Sequence, residues 1–357
     1  MTSPTPADRP AVLAFTMGDA CGIGPEILVK LWARGAPAGL VIGCPEVMRR
    51  ALACVLKVGA ADVRLPRVVP LAAARDWLSL SDGEMGVWSP PGVPGDLMQA
   101  PLGQIDRRAG QAAAACIRAA MALARSGEVD AIVTAPLHKE SLALAGEPYP
   151  GHTELLQQEG AEPGQSPLPV RMMLMNDQLK TVLVTIHMSL RQAIEQVTYD
   201  TVLETIQITH RSARSWGLER PRIAVAGLNP HAGEGGLFGD EEIRIIGPAV
   251  EAARRQGIDA IGPLAPDTVF MRARHAPDHP GEFDVVVAMY HDQGLIPVKY
   301  MGLDHGVNVT LGLPFVRTSP DHGTAFDLAG RGVADASSLI EAMRMAQCLV
   351  AGRASGR

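Results

Sequence analysis

The chain alternates short apolar or β-branched runs with longer segments of helical periodicity, and a loop rich in Gly, Pro, His or Asp follows most of the runs. Residues 12–16 predict a strand that leads through Met17-Gly18-Asp19-Ala20-Cys21-Gly22-Ile23-Gly24 into a helix opened by Pro25 and reaching about Arg34. A second strand is expected over 40–42. The Ala-rich stretch 108–125 predicts a helix closed by Gly127, with a strand over 131–134 after it. Further strands are expected over 181–186, 223–226 and 285–289. Helices that start near Asp200 and Asp240 and stop at Gly217 and Gly257 separate them, and a last helix covers about 337–350. The Pro- and Gly-rich residues 89–95 read as a surface loop or an excursion at a domain edge.

Strands alternating with helices imply a largely parallel sheet with crossovers, an α/β fold. Ligands of such sheets sit beyond the carboxyl ends of the strands. That rule singles out His187, His231 and His291, each just past the end of an expected strand. Three neutral imidazoles, with water or substrate completing the shell, suit a borderline divalent cation such as zinc, with cobalt or manganese as alternatives and magnesium preferring oxygen. The plainer alternative is three loop histidines with ordinary hydrogen-bond partners.

Composition narrows the class. At 357 residues the chain suits two domains or one large α/β unit, and its 47% hydrophobic and 20% charged residues are ordinary globular material. A net charge of −6 offers no basic field for nucleic acid or an anionic membrane, so a small-molecule partner is favoured. The 5 cysteines are scattered without CxxC spacing, which argues against a disulfide framework and a thiolate zinc site and for a reduced, cytoplasmic compartment. The opening MTSPTPADRP reads as a loose tail rather than a signal peptide, because the apolar run 11–15 is short and meets Gly18-Asp19. No span approaches the roughly 20 apolar residues of a membrane helix.

Candidate chemistry concentrates in residues 284–330, where Lys299, Asn308 and Arg317 lie among apolar residues and Asp321-His322-Gly323-Thr324 follows. Two cations and an amide suit an anionic substrate, although surface charge is the simpler account of each alone. In Gly151-His152-Thr153-Glu154 a hydroxyl sits where a helix begins, as a phosphate or carboxylate contact or as a Thr153 N-cap. The Gly-rich stretch 18–26 lacks the third glycine of GxGxxG and has no GxxxxGK[ST], so it supports tight-turn chemistry before a helix and nothing more.

Taken together, GDACGIGPE, TAPLHK, GHTE, the strand ending at His187, LNPHAGEGG, the Pro266-Asp267-Thr268 triplet, AMYHDQG, GVNVTLGLPFVRTS and DHGTAFDLAG resemble the 4-hydroxythreonine-4-phosphate dehydrogenase family of pyridoxal phosphate biosynthesis. The resemblance spans about 12–340. DHGTAFDLAG is also similar to the adenine-side loop of isocitrate and isopropylmalate dehydrogenases, which implies their two-domain fold with helices on both sheet faces and NAD bound without a GxGxxG turn. The expected division is a nucleotide-side domain of 1–140 with 310–357 and a substrate, metal and dimerisation domain of 141–309.

The resemblance implies one divalent metal (zinc, or cobalt, manganese or magnesium) on His187, His231 and His291. It implies substrate contacts from His152, Thr153, Asp267, Lys299, Asn308 and Arg317, and NAD, or NADP, near Asp321, His322, Gly323 and Thr324. Lys139 and Asp292 are the candidates for proton transfer. A homodimer that shares its active sites is implied as well. The expected reaction oxidises and decarboxylates 4-phosphooxy-threonine to 3-amino-2-oxopropyl phosphate. Asp19-Ala20-Cys21-Gly22, where the family usually has Asp-Pro-Ala-Gly, keeps open a paralogous branch acting on phosphothreonate, phosphoerythronate or a carboxylated cis-dihydrodiol. A metallohydrolase built on the same histidines is the alternative from another class.

Overall fold

A computed structural model describes residues 10–35, 37–59, 64–161, 165–302 and 306–355. The expected loose tail therefore lies almost wholly outside the described residues. In chain order the strands and helices are β1 (Leu13–Thr16), α1 (Gly24–Ala33), β2 (Gly39–Ile42), α2 (Pro45–Lys57), β3 (Arg67–Leu71), β4 (Glu84–Trp88), α3 (Arg107–Ser126), β5 (Ala131–Thr134), α4 (Lys139–Leu144), α5 (His152–Glu159), β6 (Arg171–Met175), β7 (Lys180–Leu183), α6 (Leu190–Gln196), α7 (Tyr199–Ala213), β8 (Ile223–Ala226), α8 (Gly247–Arg255), β9 (Ala260–Leu264), α9 (Val269–Ala273), β10 (Val285–Ala288), α10 (His291–Tyr300), β11 (Val307–Leu311), β12 (Val316–Pro320) and α11 (Ser337–Ser355). Two compact units result: Met1–Leu168 with Leu313–Val350, and Pro169–Gly312 with Ala351–Arg357.

In the first unit the strands run in the order β3-β4-β2-β1-β5-β12, every neighbouring pair parallel. Its core strands read as near-continuous apolar runs because both faces are covered. Leu13, Phe15, Ile27, Leu28, Leu40, Ile42 and Ile117 are fully buried, and Trp32 meets Phe15 edge-on with ring centroids 5.0 Å apart. Each such side chain contributes roughly 1.5–3 kcal/mol through burial. Helix α3 follows from its alanines, from Asp106, whose carboxylate accepts the Arg108 N–H at 2.8 Å, and from Gly127, whose φ of 75° ends it in the left-handed conformation.

In the second unit the order is β11-β6-β7-β10-β8-β9. The pairs β7-β10, β10-β8 and β8-β9 are parallel, whereas β6 runs antiparallel to both neighbours. Leu174, Leu183, Ala224, Phe283, Val286 and Val298 belong to the core between this sheet and its helices. The strand expected over 181–186 ends as a ladder at Leu183. Its partner β10 stops at Ala288, and only the Val184 and Thr185 N–H groups still bond to the Ala288 and Met289 carbonyls beyond that point. The helix expected from Asp240 begins as one wide π-type turn over Glu242–Ile246 before α8. Residues 89–95 form an irregular loop.

Candidate active site

Three adjacent parallel strands of the second unit, β7, β10 and β8, each lead into a histidine. His187 follows β7 after a short segment that bends at Val184 and Thr185. His291 opens α10, after Tyr290 has turned the chain out of β10. The two rings lie 5.6 Å apart between centroids, tilted by 46°. His231 lies on the loop after β8, where His231, Ala232, Gly233, Glu234 and Gly235 all have positive φ (52°, 54°, 81°, 44° and 66°). Non-glycine residues held there cost roughly 1–3 kcal/mol each, so the surrounding structure must fix the loop. The His231 ring leans towards Phe238, 6.3 Å away. As these side chains stand, no group of three His, Cys, Asp or Glu among the described residues is close enough to hold a cation.

The donor set nevertheless fits one. Imidazoles from three neighbouring strand ends are borderline-cation ligands. The His291 Nδ1 is 2.7 Å from an Asp292 carboxylate oxygen, so a proton on Nδ1 bonded to Asp292 leaves the Nε2 lone pair for a cation. Asp292, expected as a proton-transfer group, thus has a nearer task in orienting His291. Asp267 is exposed on the turn after β9, Lys299 sits on the last turn of α10, and Asn308 on β11 has a buried Oδ1 with no hydrogen-bond partner.

In the first unit a second constellation forms at the end of β5. Arg317 of β12 is 2% exposed, and its guanidinium donates to the Thr134 hydroxyl at 2.7 Å. Burial pulls its pKa down to about 10, against the opposing charge of Glu154, so it remains a cation at neutral pH. His152 stands beside it as the first residue of α5. Burial and the Arg317 charge push the imidazole pKa well below 6.5, and its Nε2 is buried without a hydrogen-bond partner. A neutral imidazole and a buried cation at a helix start form a place for an anionic oxygen. Thr153 is not the N-cap: that position falls to Gly151, with no side-chain cap bond. Lys139, first in α4, passes beside Gly151, where a Cβ would lie 3.9 Å from its Cε.

The 321–330 segment packs on the Gly-rich loop after β1. The Ile23 N–H donates to the Thr324 carbonyl at 3.0 Å, and a Cβ at Gly22 would meet Thr324 at 2.9 Å. Thr324 is buried, while His322 and Gly323 are exposed and Asp321 is half-buried. Sequence reasoning missed the groups that organise this region. Glu26 accepts the Gly330 and Gly332 N–H groups at 2.5 and 2.7 Å, and His138 stacks on Phe326 with centroids 4.8 Å apart. Asp19 is wholly buried, accepts the Cys21 N–H at 2.8 Å and has its pKa raised by burial. An acidic residue in a first helical turn normally signals only a favourable dipole contact, so nothing marked Glu26 as buried.

Known proteins resemble this chain over almost its whole length. The model of the family "pyridoxal phosphate biosynthetic protein PdxA" matches residues 36–346. A 4-hydroxythreonine-4-phosphate dehydrogenase of Beijerinckia indica subsp. indica is 54% identical over 330 residues, 92% of this chain and 91% of the relative. A D-threonate 4-phosphate dehydrogenase of Pectobacterium atrosepticum is 44% identical over 349 residues, 95% and 99% of the two chains. The crystal structure of 4-hydroxythreonine-4-phosphate dehydrogenase from Klebsiella pneumoniae superimposes with a TM-score of 0.82 at 44% identity, covering 96% of this chain and 98% of that one.

Proposed function

Because the chain belongs to the family of the pyridoxal phosphate biosynthetic protein PdxA, we propose that it is a dehydrogenase that oxidises and decarboxylates 4-phosphooxy-threonine to 3-amino-2-oxopropyl phosphate with NAD and a divalent cation. The cation and NAD, when bound, supply polarisation of the substrate oxygen and acceptance of the hydride, after which the β-keto acid loses CO2. The chain's own residues bind, orient and carry protons. His187, His231 and His291 hold the cation, with Asp292 fixing the His291 tautomer. Buried Arg317 and neutral His152, with Thr153 on the same helix, take the substrate's anionic group. Lys299, Asn308 and Asp267 are further proposed substrate contacts; the Asn308 Oδ1 is buried with no hydrogen-bond partner among the described residues. Lys139 carries a proton, and 321–324 with the buried Thr324 borders the nucleotide. In this reading the first unit has the nucleotide side and the second the metal and dimer contacts.

The observation that carries the reading is the sequence of three histidines beyond three adjacent parallel strands, the place where such sheets build their sites. A second copy of the chain is the proposed partner. Leu190, Ile194, Leu237, Ile243, Ile296 and Tyr300 of the second unit are large, apolar and exposed, and are the candidates for burial in that pair.

The 44% identity to the D-threonate 4-phosphate dehydrogenase, and the Asp19-Ala20-Cys21-Gly22 loop, favour a second reading in which a phosphorylated threonate is the substrate. NADH formation measured with 4-phosphooxy-threonine, D-threonate 4-phosphate, erythronate 4-phosphate and a carboxylated cis-dihydrodiol separates them, with the first expected to give the highest kcat/KM. Phosphate release that needs metal and ignores NAD would instead establish a metallohydrolase. His231→Ala is expected to lose bound metal and turnover together; metal at full stoichiometry in that variant overturns the ligand assignment.

A further inference from the structure

The first unit encloses a cavity that has no part in the chemistry above. Strands β1, β2 and β5 run parallel, so their carboxyl ends lie together near Thr134 and Arg317 and their amino ends meet at the opposite edge of the sheet. At that opposite edge a concave space of about 410 Å³ opens. Its floor is Val12, just before β1, Leu40 of β2, Leu123 of α3 and Val129, just before β5, all of them buried. Ala74, Trp77 and Leu78 form one wall, on a short 3-10 turn over Ala74–Ser79 that follows β3.

Hydrogen bonds fix this frame. The Val12 N–H donates to the Asp130 carboxylate at 2.8 Å and the Val12 carbonyl accepts the Asp130 N–H at 2.7 Å, while the Leu13 N–H donates to the Ala38 carbonyl at 2.9 Å. The wall is held by Asp76, whose carboxylate accepts the Ala73 N–H at 2.8 Å and whose carbonyl accepts the Ser79 hydroxyl at 2.7 Å. The space is thus preformed, and a guest can enter it without moving the core.

Small-molecule sites have this make-up: a concave space of roughly 300–1,000 Å³ with apolar and aromatic lining and a few polar groups that orient the guest. The polar groups here are Arg75 and Glu128, both exposed at the rim. They are not equivalent. Glu128 accepts the Ser126 hydroxyl at 2.9 Å, whereas the Arg75 guanidinium enters no ion pair or hydrogen bond among the described residues. An available guanidinium beside an apolar bowl favours a carboxylate carried on an apolar body. Size indicates the body. A cavity of roughly 150 Å³ holds benzene, so one of about 410 Å³ takes two fused rings and their carboxylate, with Trp77 as an aromatic neighbour.

We propose that this cavity is a second ligand site, for a small bicyclic aromatic carboxylate, at the edge of the sheet opposite the proposed active site. Its lining separates it from that site, whose polar groups suit a phosphorylated hydroxy acid.

The test is calorimetric titration of the full chain with 2-naphthoate, and with 2-naphthamide as the uncharged analogue, in the wild type, Ala38→Trp and Arg75→Gln, with the thermal midpoint of each protein measured alongside. Ala38 lines the cavity and is half-buried, so an indole there occupies the space. Arg75 is exposed, and Arg75→Gln with the amide probe carries the test if Ala38→Trp does not fold. The expected result is one 2-naphthoate per chain, unaffected by saturating NAD, lost in Ala38→Trp, and about tenfold or more weaker in Arg75→Gln and for the amide. Absence of saturable binding to the wild type overturns the proposal, including the case in which binding appears only once residues 2–9 are removed. Binding that persists in a folded Ala38→Trp, or that NAD displaces, overturns it as well, because either outcome puts the probe elsewhere. Equal affinity in Arg75→Gln and for the amide overturns the choice of a carboxylate.

Discussion

Arg317 is buried and His152 half-buried beside it, and desolvation together with the Arg317 charge disfavours the imidazolium. Arg317 stays cationic at 2% exposure, and desolvation, with the Arg317 charge adding to it, holds the His152 pKa well below 6.5. A histidine whose folded pKa is depressed below 6.5 binds fewer protons folded than unfolded, so its contribution to stability is intact above that value and is lost as pH falls from there towards the folded pKa. The wild type is therefore expected to lose stability between neutral and mildly acidic pH, and His152→Gln to show a flatter dependence over that window. Urea unfolding at the two pH values measures it, and equal slopes would remove the coupling. Arg317→Lys keeps the charge and loses the planar fork, so it is expected to retain bound metal and raise the substrate KM by about tenfold or more. At this scale the sequence made legible the residues whose type and position in the strand pattern both suggest chemistry. The three histidines were visible because parallel strands put their sites at one end, whereas Glu26 was not, because it accepts from backbone N–H groups that leave no mark in spacing.

The elements that sequence periodicity missed share a physical cause. β3 is an edge strand that contains Pro70 and alternates poorly, and β6 is methionine-rich (RMMLM) with little β-branched character. β11 and β12 carry Asn308 and Arg317, so their polar residues read as a binding stretch and hid the strand pattern beneath. The loop between β1 and α1 was legible as a tight turn and its use was not: it is the seat on which 321–330 packs. That gives an element-scale prediction. Gly22→Ala would put a methyl group 2.9 Å from the Thr324 Cβ and carbonyl, and overpacking of this kind costs about 1–3 kcal/mol. Denaturant midpoints are expected to fall accordingly, and the Kd for NAD to rise because the 321–324 segment is displaced. A stability loss with an unchanged Kd would separate this packing contact from the nucleotide.

At the scale of the whole molecule, alternation of strands and helices fixed the α/β class, while the association state follows from which apolar side chains the fold leaves uncovered. Among the described residues no helix is long and apolar enough to cross a membrane, and the five cysteines are unpaired. Leu190 is 57%, Ile243 57%, Ile296 62% and Tyr300 91% exposed. A single exposed leucine is ordinary on a globular protein, and the proposed pairing with a second copy of the chain would bury such residues. A second copy of the chain is the simplest occupant, since identical chains present identical surfaces and close as a two-fold pair. Light scattering coupled to size exclusion is expected to give twice the chain mass of 37.7 kDa. Ile194→Asp with Ile243→Asp in the second unit should shift the protein towards the monomer, because each buries an unpaired charge in the pair. Leu78→Asp, at an exposed leucine of the first unit, should leave the dimer intact. A monomeric wild type, or a dimer broken by Leu78→Asp and untouched by the other two, would place the association surface elsewhere.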